Sequence, residues 1–257
     1  MEKRNSGFLI NKQESQKDYI FGIRAVMEAL HAGQDIDKIL VLKEQKNELT
    51  DELLQLAKAH RVPVSRVPDG KLNRITRKNH QGVVAYISSI AYASLDNVVD
   101  GCFSKGISPL ILILDRITDV RNFGAICRTA EVAGVHAVVI PEKGSAQINS
   151  DAVKTSAGAL NFLPVCRSRN LYYTVKDLKK MGLNVVSVTE KTDREMYQAD
   201  FSAPTALVMG SEEDGISQDL MSISDEFVKI PMHGHVDSLN VSVATGVVIY
   251  EAMRQRK

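Results

Sequence analysis

Apolar residues fall along this 257-residue chain in two alternating rhythms. Between Gly22 and Ala32, Ile23, Val26, Met27 and Leu30 recur every three or four positions, which predicts a helix stopped by Gly33. Strands are expected at Lys38 to Leu42, Val62 to Val67 and Val83 to Ser88, with helices at Glu48 to His60 and, short and basic, Asp69 to Lys78. Residues 91–107 (AYASLDNVVDGCFSKGI) carry Ser, Asp and Gly around one short helix and read as a connector. An intensely apolar strand, Leu110 to Leu114, then reopens the alternation. Helices follow near Phe123 to Ala133, Ala152 to Gly158 and Leu171 to Met181, and strands at His136 to Ile140, Phe162 to Val165 and Asn184 to Val188. Two further strands, Ala206 to Met209 and Val228 to Ile230, precede a helix over Ser238 to Met253 that is apolar all round and is therefore expected to be buried.

Short continuous apolar strands separated by helices predict a parallel sheet covered on both faces. The class is α/β. The expected organisation is a loose polar tail over 1–18, a small α/β unit over 19–90, a linker over 91–107, and a larger α/β domain over 108–257.

Composition narrows this modestly. A quarter of the residues are charged, and no apolar run approaches the roughly 20 needed to span a bilayer. The polar first twenty residues lack a signal-peptide core. Three cysteines, Cys102, Cys127 and Cys166, show no metal-ligand spacing, and a reducing cytoplasm is the expected setting. The net charge of +1 does not advertise nucleic acid, yet residues 1–80 hold 15 Lys+Arg against 11 Asp+Glu and the remainder 17 against 20. Lys71, Arg74, Arg77 and Lys78, with His80 and Gln81, make one basic cluster. It reads either as a phosphate contact or as a solvated helix face.

The common nucleotide motifs are missing: no G-x-G-x-x-G follows the 110–114 strand, and there is no P-loop. His233 and His235 stand two apart in a loop and receive neither a metal nor another role. What remains is a set of three strand-end loops, the places where α/β proteins hold ligands. The first contains Asn122 and leads into a mostly apolar helix bearing Arg128, whose planar fork suits phosphate or carboxylate unless it is only a surface arginine. The second is Gly210-Ser211-Glu212. The third, Gly234 to Asn240, supplies backbone groups, Ser238 and Asn240 at a helix start, with Ser238 most simply an N-cap.

In order and spacing, NFGAICRTAEVAGV, LVMGSEEDGIS and IPMHGHVDSLNVSVATGVVIYEA resemble the three motifs of the SpoU/TrmH family of RNA ribose 2′-O-methyltransferases, within the SPOUT superfamily. Upstream, FGIRAVMEAL and NHQGVVA resemble the N-terminal domain of the subgroup that methylates a guanosine ribose in bacterial 23S rRNA, so that only the first eighteen residues fall outside. The resemblance implies an N-terminal RNA-binding domain, a C-terminal trefoil knot, a homodimer, and S-adenosylmethionine bound in the knot. It places cofactor contacts at Gly210, Ile230, Leu239 and Ser238. It gives Arg128 the ribose 2′-OH, with Asn122 and Glu212 fixing Arg128 and the loop and Asn240 orienting the cofactor end, although each of these three could be structural. It shifts the 71–78 cluster toward RNA contact. Glu213-Asp214 before Gly215 departs from the family pattern and leaves that loop's path open. A tRNA ribose methyltransferase and a non-catalytic RNA-binding protein with a degenerate site are the rival readings.

Overall fold

The structure is a computed structural model and describes residues 19–235 and 238–256. The expected tail, 1–18, lies outside the described residues.

The first unit runs β1 (Tyr19–Phe21), α1 (Ile23–His31), β2 (Ile36–Leu42), α2 (Glu48–Ala59), β3 (Val64–Val67), α3 (Asp69–Ile75) and β4 (Val83–Ile87). Its sheet has the order β1-β4-β2-β3, with β2 and β3 parallel and the other pairs antiparallel. Side chains alternate along β2. Ile39 and Val41 meet Val26, Leu30 and Leu53 of α1 and α2, whereas Leu40 packs with Leu72 of α3 on the other face. The three-residue β1 carried no recognisable pattern of its own, and it exists by pairing with β4.

The second unit continues with α4 (Leu95–Phe103), β5 (Leu110–Leu114), α5 (Val120–Val132), β6 (Ala137–Pro141), α6 (Ser150–Thr155), β7 (Val165–Ser168), α7 (Leu171–Lys180), β8 (Asn184–Val188), β9 (Thr205–Met209), α8 (Gln218–Met221), β10 (Glu226–Val228) and α9 (Val241–Gln255). The six strands are all parallel, in the order β10-β8-β9-β5-β6-β7. Leu110, Leu112 and Leu114 face the layer that contains α5, α6 and α9, while Ile111 and Ile113 face α4, α7 and α8. All five are buried, and each contributes roughly 1.5–3 kcal/mol over exposure. The chain steps outward from β5 to β6 and β7, then returns to place β8, β9 and β10 on the other side. The reversal opens a crevice beyond the C-terminal ends of β5 and β9, where open α/β sheets bind ligands.

The structure corrects several sequence expectations. Pro164 has no N–H to give a ladder, so the strand expected at Phe162 to Val165 begins at Val165, and Phe162 is 78% exposed. The last strand ends at Val228, which leaves Ile230 in a loop. Helix α9 starts at Val241 and is capped by Asn240, whose side chain accepts from Ser242 N; Ser238 is not its cap. Nor is α9 buried all round: Val248, Ile249 and Ala252 are fully covered, but Val243 and Tyr250 are about half exposed.

Residues 88–93 are tied to the second unit as well as the first. Ser89 N donates to Ile148 O and Ala93 N to Val165 O. Tyr92 Oη donates to Asp37 Oδ1, and Arg167 from the end of β7 donates to the carbonyls of Ile36 and Asp37. The first unit is thereby held over the C-terminal ends of β6 and β7, beside the crevice.

Candidate active site

Beyond β9 the chain turns through Gly210 into a tight loop in which Ser211 and Gly215 exchange backbone hydrogen bonds of 3.2 and 3.0 Å. A Cβ on Gly210 would lie 2.1 Å from the Gly215 carbonyl carbon, so no other residue fits there without moving the loop. Of the acidic pair Glu213-Asp214, Asp214 is engaged. Asp214 N donates to Ser211 Oγ, and Arg116 pairs with the Asp214 carboxylate at 3.1 Å while donating to Gly215 O. Buried Asp115, at the end of β5, accepts from Ser217 N at 2.7 Å. Two strand ends therefore fix both ends of one loop.

That loop aims Glu212 at the start of α9. Glu212 Oε1 accepts from Asn240 Nδ2, from Val241 N at 3.1 Å, and more weakly from Asn122 Nδ2 at 3.5 Å. Asn240 Nδ2 also donates to Asn122 Oδ1 at 3.0 Å. One carboxylate thus joins the N-terminal turns of α5 and α9, where unpaired backbone N–H groups favour negative charge. Asn122, Glu212 and Asn240, one from each of the three strand-end loops, form a single cluster.

Beside this cluster lies a cleft of about 680 Å³. Gly210, Ile230, Ser238 and Leu239 all line it, together with Val188, Met209 and Met232. Carboxylates from Glu190, Glu195, Glu212, Glu213 and Asp214 outnumber Lys191 and Lys229 around its rim. Val188, the last residue of β8, and Glu190, two positions on, are lining residues that sequence reasoning missed; the end of an apolar strand was the available signal. His233 also lines the cleft.

Arg128 is not part of the cluster within one chain. Six residues separate it from Asn122 along α5, about 9 Å of rise and well over one turn, and its exposed side chain has no hydrogen bond or ion pair among the described residues. Lys71, Arg74, Arg77 and Lys78 are likewise exposed and unpaired among the described residues. They sit at the end of the small sheet away from the second unit, and α3 stops at Ile75, so that Arg77 and Lys78 follow the helix rather than extend it. His80 does not belong with them. It is buried, accepts from Gly82 N at Nδ1, and meets Asn73 Oδ1 through Nε2.

Burial drives the Cys127 thiol upward and Cys166 up to about 12, so neither is a ready thiolate. Among the described residues there is no group of His, Cys, Asp and Glu suited to a metal, and no helix is long and apolar enough to cross a membrane.

Two family models cover the chain: the SpoU rRNA Methylase family over residues 109–250, and the RNA 2′-O ribose methyltransferase substrate-binding model over residues 19–93. The protein belongs to the SpoU methylase family. Among its relatives, a Bacillus subtilis protein assigned to the TrmH tRNA/rRNA methyltransferases, YacO, is 35% identical over 94% of this chain and 97% of its own length. The 23S rRNA (guanosine-2′-O-)-methyltransferase RlmB of Ralstonia nicotianae is 37% identical over 94% and 97%. The fold is shared with the SpoU methyltransferase AviRb of Streptomyces viridochromogenes, crystallised with AdoMet, at a TM-score of 0.58 and 26% identity over 93% of this chain and 90% of that one. An AdoMet-bound rRNA methyltransferase from Sinorhizobium meliloti superposes at 0.57 with 26% identity, covering 92% and 86%.

Proposed function

We propose that this SpoU-family protein uses S-adenosylmethionine to methylate the ribose 2′-OH of a guanosine in 23S rRNA. The observation that carries the reading is the joining of Asn122, Glu212 and Asn240 around a glycine-shaped loop at the switch point of the sheet. The cleft beside them suits the cofactor chemically. Val188, Met209, Ile230 and Leu239 offer apolar surface for an adenine, and the carboxylate excess favours a sulfonium cation. When bound, the cofactor supplies an electrophilic methyl group.

The chain's own task is to hold the 2′-OH in line and to bear the charge that develops on it. Arg128 is the residue for that role. Its guanidinium offers five donors and no acceptor, and does not serve as a literal base. It grips the neighbouring phosphate and stabilises the forming alkoxide, while the proton leaves to phosphate or water. Arg128 is exposed on α5, and α5 packs against α9. Apolar Val132, Val243 and Tyr250 are exposed on the same two helices, and Phe162 on the turn that packs against α5. That surface supports a homodimer in which Arg128 serves the partner's cleft. Lys71, Arg74, Arg77 and Lys78 complete the reading as phosphate contacts of the substrate-binding unit. The C-terminal knot belongs to the same proposal and is favoured by the binding of the α9 start to the 210–215 loop.

The choice of 23S rRNA rests on the Ralstonia relative, whereas the Bacillus relative's name leaves tRNA open. Ribose methylation mapped in total RNA from a deletion strain, alone and complemented with wild type or Arg128→Lys, decides between them. The expected result is loss at one 23S guanosine, restored by wild type and not by the lysine variant. Loss confined to tRNA overturns the substrate assignment, and full restoration by Arg128→Lys overturns the role of the fork.

A further inference from the structure

Between the two units runs a groove that the function above does not use. Its first section, about 480 Å³, takes Lys58 and Arg61 from the end of α2 and Lys143 and Arg169 from the loops after β6 and β7, with Glu142 as its one carboxylate. A second section, about 190 Å³, shares Lys143 and Arg169 and continues past Tyr172 to Arg116 and Ser217. The groove therefore leads from the substrate-binding unit to Arg116, which braces the loop that lines the cofactor cleft.

We propose that this groove is a track for an unpaired RNA segment, with Lys58, Arg61, Lys143 and Arg169 on successive phosphates and Tyr172 stacking on a base. The inference rests on the reading of the protein as an RNA methyltransferase and names where its substrate crosses from one unit to the other.

Charge is the first argument. Lys58, Arg61 and Lys143 are exposed with no carboxylate partner among the described residues, and Arg169 lies only loosely at 3.8 Å from Glu142. Four cations drawn from two units and facing one channel repel one another unless an anion lies between them. Of the two carboxylates in the second section, Asp115 is bound by Ser217 N and Arg116, leaving Asp219. The cofactor cleft across the loop carries the opposite balance, suited to a cation, so the loop divides a polyanion's path from a sulfonium's seat.

The aromatic residue is the second argument. Tyr172 is held edge-on by Tyr173, with ring centroids 5.4 Å apart, and Lys176 lies 5.4 Å from its ring. A cationic channel with a fixed aromatic face is the arrangement that binds single strands with little sequence preference. Double-stranded RNA has no exposed base face to offer it. Position is the third argument. The 71–78 cluster lies at the Leu42 and Val67 end of the small sheet, whereas the groove lies at the Ile36 and Val64 end, which abuts the second unit. A strand held only at the distal cluster would have no cationic path to the cleft.

The test uses the full chain and an in vitro transcript of 23S rRNA, with affinity measured across a range of salt and cofactor binding measured separately by calorimetry. The double variant Lys58→Glu/Arg61→Glu, and Lys143→Glu and Arg169→Glu singly, are each expected to weaken RNA at least tenfold. Neutral Lys143→Gln is expected to reduce the salt slope by about 0.7. Tyr172→Ala is expected to weaken RNA about tenfold, and Tyr172→Phe to keep it. S-adenosylmethionine affinity and melting temperature should not change, because all these side chains are exposed or outside the cofactor cleft. Unchanged RNA affinity and salt slope in the groove variants, with loss only in Lys71→Glu/Arg74→Glu, overturns the track. A wild-type protein that methylates no RNA at all sinks the functional reading itself, a different outcome.

Discussion

Arg167 sits over Tyr92, its guanidinium carbon 3.9 Å from the ring centroid, and the two side chains close the joint between the units. Tyr92 donates to Asp37, and Arg167 donates to the carbonyls beside it. Asp37 Oδ2 is buried with no hydrogen-bond partner. Burial raises this carboxyl above its ordinary value, outweighing the bond from Tyr92 and the charge of Arg167. A folded-state pKa above the unfolded one means that the folded protein keeps the proton longer. The resulting stabilisation is complete below about 3.8 and is lost as pH rises through the folded value. Asp37→Asn keeps an acceptor for Tyr92 and has no charge to desolvate. It should melt above the parent at neutral pH, with the gap closing in acid. Parallel melting profiles across that range would refute the burial penalty.

Gly210→Ala places a methyl group against the backbone of Gly215. The loop must open, and Glu212 moves away from the start of α9. We expect S-adenosylmethionine affinity to fall by more than about tenfold, roughly 1.4 kcal/mol, in a calorimetric titration. The large sheet should stay folded by circular dichroism. Parent-like affinity would show that the loop is not part of the cofactor seat.

Glu212→Gln and Asn240→Ala separate geometry from charge. The glutamine still offers an acceptor oxygen to Asn240 and to Val241 N, so stability should hold while the cleft loses one negative charge and with it some affinity for a cationic cofactor. Asn240→Ala removes the α9 cap and should cost about 1 kcal/mol in denaturant unfolding. A glutamine variant that unfolds as readily as the alanine variant contradicts this division.

Arg256, just beyond α9, donates to four carbonyls: Phe201, Ser108, Pro109 and Ala203. Its loss would leave these half-buried acceptors unmet and release the far end of α9. Arg256→Ala is expected to lower unfolding free energy by roughly 2 kcal/mol and to raise hydrogen exchange along α9. Unchanged protection in α9 would count against the anchor.

The apolar runs of the large sheet were the most legible part of the molecule. Leu110 to Leu114 is buried on both faces, and a run of that kind has few other uses. Short elements were harder. β1 depends on β4 for its existence, and β7 reads Val-Cys-Arg-Ser because Arg167 is needed at the joint rather than in a core. The exposed strip on α9 was hidden because a helix that contacts its own chain on one side and offers an apolar face on the other reads as fully buried. Asn122, Glu212 and Asn240 could be chosen from their motifs, but their mutual contact could not, since it depends on how three loops meet. The groove cations were invisible for a similar reason: Lys58 and Arg169 stand far apart in sequence and become neighbours only through the joint.

The bond between Asn240 and Asn122 spans 118 positions, and its reach sets an order of events. The small sheet closes entirely within residues 19–87, so it can form while later parts of the chain are still being made. The three-loop cluster must wait for α9 and for a loop closure of high entropic cost. During synthesis there is accordingly an interval in which a nascent chain presents its substrate-binding unit with no three-loop cluster behind it. A ribosome making this protein briefly carries the folded first unit without the three-loop cluster.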